Sequence, residues 1–143
     1  MILLDVNVVL AAHRTDHPHH DVARPWLDRL AAGAESFGVP SSVWASFLRI
    51  TTSRRIFVVP TPLTEAFAFI RAVVAQPHHL PVEPGERHLD LLETTCAGGD
   101  AAGDLVADAY LVALAAEYGS SLASFDRDFA RFPGVDWIVP SMD

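Results

Sequence analysis

Three aspartates carry the first sign of chemistry. Asp5 directly ends the apolar run Ile2 to Leu4, and Asp126 follows a second short apolar run, Leu122 to Ser124. Asp108 stands between Leu105, Val106 and Ala107 on one side and Ala109, Leu111 and Val112 on the other. An acid inside so apolar a stretch is costly unless it is paired or binds a cation. The chain has few bases near these positions, so a divalent metal is the natural counter-charge. Oxygen donors without cysteine or clustered histidine select Mg²⁺ or Mn²⁺ rather than zinc. Such a site generates hydroxide, orients an in-line attack and stabilises charge on a phosphoryl group, which makes phosphodiester hydrolysis the leading reading. Asp104 lies one turn before Asp108 on the same helical face and reads either as a helix N-cap or as a further ligand. Asp126 suits both a cap and a site role, while Asp128 reads as a solvated acid or as a supporting residue of the site.

These residues must be positioned by one domain, expected over 1–143, since 143 residues leave no room for a second. Half of the residues are apolar and a fifth are charged, the balance of a globular chain. The 18 acids against 10 bases give a net charge of −8, and every base is arginine. The absence of lysine excludes a Walker-A nucleotide site, a Schiff base and a lysine general base. The acidic balance argues against whole-surface adhesion to nucleic acid, though not against an enzyme whose metal and few arginines act locally. No apolar window approaches the roughly 18 residues that cross a membrane. Asp5 and the lack of a basic start argue against a signal peptide, and one cysteine, Cys96, fits a reducing cytoplasm.

Short apolar strands alternate with helices, which predicts an α/β domain with a mostly parallel central sheet flanked by helices in three layers. Strands are expected at Ile2 to Leu4, Phe37 to Val39, His79 to Val82, Leu122 to Ser124 and Val135 to Val139. Helices are expected from Asn7, from a cap at Asp21 with Pro25 in the first turn, from a cap at Ser41 or Ser42, from Pro62, from Glu86 to a stop at Gly98-Gly99, and from Asp104 to Tyr118 with Gly119 as C′. The acids then fall beyond the carboxyl ends of the strands, where open parallel sheets bind ligands.

Other clusters have plainer readings. His13, His17, His19 and His20 lack cysteine or glutamate partners at zinc spacing and read as a solvated loop or a partner surface. Trp26, Trp44, Phe67 and Phe69 read as core or dimer interface. Arg49, Arg54 and Arg55 read equally as phosphate contacts or as a solvated rim.

Three stretches in order carry a resemblance: Leu3-Leu4-Asp5-Val6-Asn7, Val106 to Ala115 around Asp108, and Leu122-Ala123-Ser124-Phe125-Asp126-Arg127-Asp128-Phe129. With these the sequence resembles the PIN-domain ribonucleases, and among them the VapC-type toxins of toxin–antitoxin pairs. The resemblance implies cleavage of RNA with Mg²⁺ or Mn²⁺, a homodimer, and a cognate VapB-type antitoxin that blocks the site. It implies Asp5 and Asp108 as metal ligands and Asp126 as the third catalytic acid. Asn7 is then the polar partner that holds Asp5, and Ser124 stands where the family usually has threonine. Arg49 ends a Ser46-Phe47-Leu48-Arg49 run in which the family usually has glutamate at the position of Ser46. That loss of an acid leaves an alternative, a weak or inactive fold that binds RNA or antitoxin without cutting. A haloacid-dehalogenase-like phosphatase also begins with a strand ending in aspartate, but it wants an acid where Asn7 stands and a core lysine.

Overall fold

The computed structural model describes all residues, 1–143. Ile2–Leu4 forms β1, and Asp5 ends it by capping the helix α1, Val6–His13, its carboxylate accepting the Val6 N–H at 2.7 Å. After a loop comes α2, His20–Ala32, then the short strand β2, Phe37–Gly38. Helices α3, Ser41–Thr51, α4, Leu63–Val74, and α5, His88–Gly99, precede the long α6, Leu105–Tyr118. Strand β3, Ser121–Ala123, a 3-10 turn at Arg127–Arg131 and strand β4, Trp137–Ile138, complete the chain.

The sheet order is β2-β1-β3-β4, and every pairing is parallel. The all-parallel sheet with six flanking helices is the α/β arrangement the sequence predicts. One cluster of 27 buried apolar residues unites strands and helices, with Leu3, Leu4, Leu114, Leu122 and Phe129 fully buried. The helix α6 is buried along Leu111–Ala115 and turns out of the core at Gly119, where φ is +61° and a side chain would be strained.

Several boundaries differ from expectation for physical reasons. Residues 79–82 form only a single bridge, Phe37 to His79, made by the Phe37 N–H to the His78 carbonyl and the Leu80 N–H to the Phe37 carbonyl. The expected stop at Gly98-Gly99 is part of α5, which ends in Asp100 at φ +48°. Gly99 serves close packing instead: a Cβ there would lie 2.5 Å from the Phe132 ring. Neither Ser41 nor Ser42 caps α3, whose N-cap is Pro40. Glu83 supplies the missing acceptor, taking the Ser41 N–H at 3.2 Å and the Ser41 hydroxyl at 2.9 Å. Likewise α2 starts at His20, so Asp21 lies in its first turn without capping it and Pro25 sits inside the helix.

Candidate active site

Neighbouring parallel strands bring two distant segments together. Leu4 pairs with Ala123, and the Asp5 N–H donates to the Ala123 carbonyl at 3.0 Å, so Asp5 and Ser124 emerge side by side at the strand ends. The fully buried Ser124 hydroxyl donates to Asp5 Oδ2 at 2.7 Å. Asn7 Nδ2 donates to the same Oδ2 at 3.3 Å and to Ser124 Oγ at 3.0 Å. Asn7 Oδ1 accepts the Phe125 N–H at 3.1 Å, and Ser124 Oγ accepts the Asp126 N–H at 3.0 Å. The Trp137 indole N–H closes the arrangement on the Ser124 carbonyl at 3.0 Å. Asn7 and Ser124 therefore fix Asp5 and set the direction in which the chain leaves β3.

Burial raises the Asp5 carboxyl above the ordinary carboxylate range, against the lowering effect of the Ser124 and Val6 hydrogen bonds, and the Asp126 charge raises it further. Asp108, in the first turn of α6, is pushed up to about 6, first by burial and then by the charges of Asp126, Asp5 and Asp128. Carboxylate oxygens of Asp108, Asp126 and Asp128 lie within 4.8 Å of one another. Asp126 caps the 3-10 turn by accepting the Asp128 N–H at 2.9 Å, which holds these two acids on one bend.

No base offsets this charge. The three ion pairs of the protein, Met1 with Glu35, Arg14 with Asp16 and Arg24 with Asp28, involve none of the four acids. Unpaired oxygen donors with raised proton affinity suit a hard divalent cation; Asp108, Asp126 and Asp128 lie close enough together to share one, while Asp5 faces the same cleft from outside that 4.8 Å group.

A cleft of about 530 Å³ opens in front of Asp5 and Asp108, and Ser42, Ser46, Arg49 and Tyr110 line it with them. Arg49 is exposed and makes no ion pair or side-chain hydrogen bond, so its guanidinium is free on the wall contributed by α3. Asp5, Asn7, Asp108, Ser124, Asp126, Ser46 and Arg49 thus all meet in one region.

The two acids that the sequence leaves open divide. Asp128 is exposed and also belongs to the carboxylate trio, brought there by the Asp126 cap. Asp104 is the N-cap residue of α6, the position the sequence gives it, but its side chain makes no capping bond; it is exposed and lines neither the cleft nor the trio. Ser42 and Tyr110 line the cleft beyond the site residues that the sequence marks. The spacing of Ser42, Ser46 and Arg49, four and then three apart on one helix face, is the sequence signal that could have found Ser42. Of the aromatic residues, Trp44 is buried against Phe47 and Phe69, while Phe67 is exposed on α4.

The PIN domain family matches residues 2–135. Ribonuclease VapC25 of Mycobacterium tuberculosis is 59% identical over 140 residues, covering 98% of this chain and 99% of the relative. Ribonuclease VapC31 of the same species is 58% identical over 142 residues, covering 99% and 100%. The chain belongs to the PIN-domain family and, within it, to the VapC ribonucleases. Its fold is also that of VapBC2 from Rickettsia felis, solved bound to a promoter DNA fragment, at a TM-score of 0.73 and 15% identity over 99% of this chain and 100% of that one. The sarcin-ricin loop cleaving toxin VapC20 of M. tuberculosis superimposes with a TM-score of 0.64 at 16% identity, covering 91% and 93%.

Proposed function

We propose that this protein is a ribonuclease that hydrolyses RNA phosphodiester bonds with Mg²⁺ or Mn²⁺ and acts as the toxin of a type II toxin–antitoxin pair. The observation that carries the reading is the group of unpaired carboxylates, Asp108, Asp126 and Asp128, beside Asp5 at the ends of two parallel strands. The names of its closely similar relatives support the substrate. In this reading Asp5, Asp108 and Asp126 are the catalytic acids, and Asp5 and Asp108 are metal ligands with Asp128 in support. Asn7 and Ser124 position Asp5, and Asp104 has no part. A cation held there would supply a hydroxide nucleophile at neutral pH and offset charge building on the phosphate. Arg49, across the cleft, contacts an RNA phosphate as a free guanidinium.

The same reading gives the protein a VapB-type antitoxin, whose arginine would suit the acid group in place of the metal, and a second copy of itself as homodimer partner. No helix is long and apolar enough to cross a membrane. With a free Cys96, we place the protein in the cytoplasm.

Purified protein incubated with total RNA is the test. Fragments are expected with Mn²⁺ or Mg²⁺, and none with a chelator or with Asp5→Asn. RNA left intact by the wild type at millimolar metal would overturn the enzymatic reading. It would favour the alternative that Ser46 motivates, a fold that binds without cutting.

A further inference from the structure

The loop between α1 and α2 and the helix ends that flank it carry imidazoles that the acidic site does not use. Two of them are committed to packing. His13 hydrogen-bonds the Thr61 hydroxyl at 3.0 Å and lies against Phe47 and Phe69, and His20 Nδ1 bonds the Ala11 carbonyl at 2.8 Å. His17 and His19 are different. His17 Nδ1 accepts the His19 backbone N–H at 3.1 Å, which folds the loop so that His19 turns toward β3. The His19 ring lies flat on the Phe125 ring, with centroids 4.3 Å apart and planes within 6°. The rest of the imidazole is exposed to solvent.

Phe125 is set by the acidic site itself. It follows Ser124, which bonds Asp5, and precedes Asp126 of the carboxylate trio, and Asn7 fixes its N–H. The loop that presents His19 is also held firmly. The buried Arg14 guanidinium reaches both Asp16 oxygens at 2.9 and 2.6 Å and the Val59 carbonyl at 2.9 Å, and it rests on the Phe57 ring at 3.9 Å. The result is a two-ring stack beside the acids, on a loop tied down at Arg14 and Asp16, with its outer ring in water.

Single-stranded RNA is recognised largely by stacking splayed bases on aromatic side chains, histidine included. Such stacking needs a flat face whose rotamer is already fixed, because ordering it on binding would cost affinity. A chain of net charge −8 gains little from general attraction to phosphates, so stacking has more of the affinity to supply. We propose that His19, backed by Phe125, is the platform on which the base of a nucleotide flanking the scissile phosphate stacks. This rests on the ribonuclease reading and makes residues 14–19 a determinant of which RNA is held.

The test uses a short randomised single-stranded RNA library with wild type, His19→Ala, His19→Leu and His19→Phe. Binding is read by fluorescence anisotropy, and cleavage in Mn²⁺ by kinetics and sequencing of the cut ends. His19→Ala and His19→Leu are expected to raise KM and Kd roughly tenfold, the loss typical of one stacked base. They should leave kcat near wild type and flatten the base preference at one position beside the cut. His19→Phe restores all three, and melting temperatures stay within a degree or so of wild type, since the ring is exposed. Unchanged KM, Kd and cut preference in His19→Ala would overturn the platform, as would failure of His19→Phe to restore them. Wild type that binds the library but never cuts it, with binding lost in His19→Ala, sinks the ribonuclease reading and keeps the platform. Wild type that neither binds nor cuts sinks both.

Discussion

On the β1 side of the cleft, Asp5 accepts three hydrogen bonds, from the Val6 N–H, the Asn7 amide and the Ser124 hydroxyl. On the α6 side, Asp108 accepts none, and its neighbours are two further carboxylates. Both acids are raised by burial, but only Asp5 has dipoles that hold its charge in place. The first half of the site is built by the fold alone. The second is assembled against its own repulsion, with neither an ion pair nor a hydrogen bond to offset it. Two aspartates of one site, alike in residue type, thus differ in what they cost the metal-free protein.

Substituting each acid in turn makes that difference measurable. Asp108→Asn is expected to lower cleavage at least about a hundredfold, the scale of losing one group that stabilises transition-state charge. It should also make the metal-free protein more stable than wild type at neutral pH. The sign follows from linkage: a carboxyl raised from 3.8 to about 6 in the folded state binds its proton more tightly there than in the unfolded chain. Its contribution is fully present below the unfolded value, 3.8, and is lost as the pH rises through about 6. The gap in melting temperature between Asp108→Asn and wild type should therefore open over that window. Millimolar Mg²⁺ or Mn²⁺ should narrow it by stabilising only wild type. Asp5→Asn should gain less, because its amide must set an NH₂ group against the Asn7 and Ser124 donors or against the Val6 N–H. Equal stabilisation by both substitutions would erase the contrast.

Ser124→Ala probes the hydrogen-bonded half directly. It removes the donor to Asp5 Oδ2 and the acceptor of the Asp126 N–H inside a fully buried position. Leaving such groups unpaired costs about 1–3 kcal/mol. Asp5 should then titrate higher still, since the Ser124 bond is the larger of the two that lower it. Denaturant unfolding with an NMR titration of the Asp5 carboxyl reads both. An unchanged unfolding midpoint would mean that β1 and β3 hold the site without this hydroxyl.

What the sequence made legible follows the same division. Asp5, Asp108 and Asp126 could be placed because strand ends and an apolar helix are local patterns, and Asn7 and Ser124 because they adjoin those acids. Asp128 stays open between solvent and site in the sequence, since its membership depends on a cap formed between Asp126 and its own N–H. Asp104 takes the N-cap position legible in the sequence, and helical phase alone does not bring it into the site. The expected cap at Ser41 failed for a similar reason. Its true acceptor, Glu83, is 42 residues away. The contacts of Gly99 with Phe132 and of His19 with Phe125 are equally long-range, and no periodicity encodes them.

The smallest effect, and the one that tests the opposite wall of the cleft, comes from Ser46. It lines the cavity with Asp5 and Asp108, so Ser46→Glu places a further carboxylate before the acid group. Two consequences oppose each other. Without metal, the added charge raises Asp108 further and should lower the melting temperature slightly. With metal, it offers a ligand much better than a hydroxyl and should reduce the Mn²⁺ needed for half-maximal cleavage several-fold. Arg49, three residues on along α3 and free of any partner, can pair with the new carboxylate and blunt both effects. Asp104→Asn is the companion control and is expected to change nothing, because Asp104 is exposed and outside the trio. Metal titrations of cleavage and melting temperature for the two substitutions decide the matter. If Ser46→Glu leaves both curves where wild type has them, the α3 wall is too far from the acids to hold an ion. If Asp104→Asn shifts the metal curve, the entry to α6 belongs to the site after all.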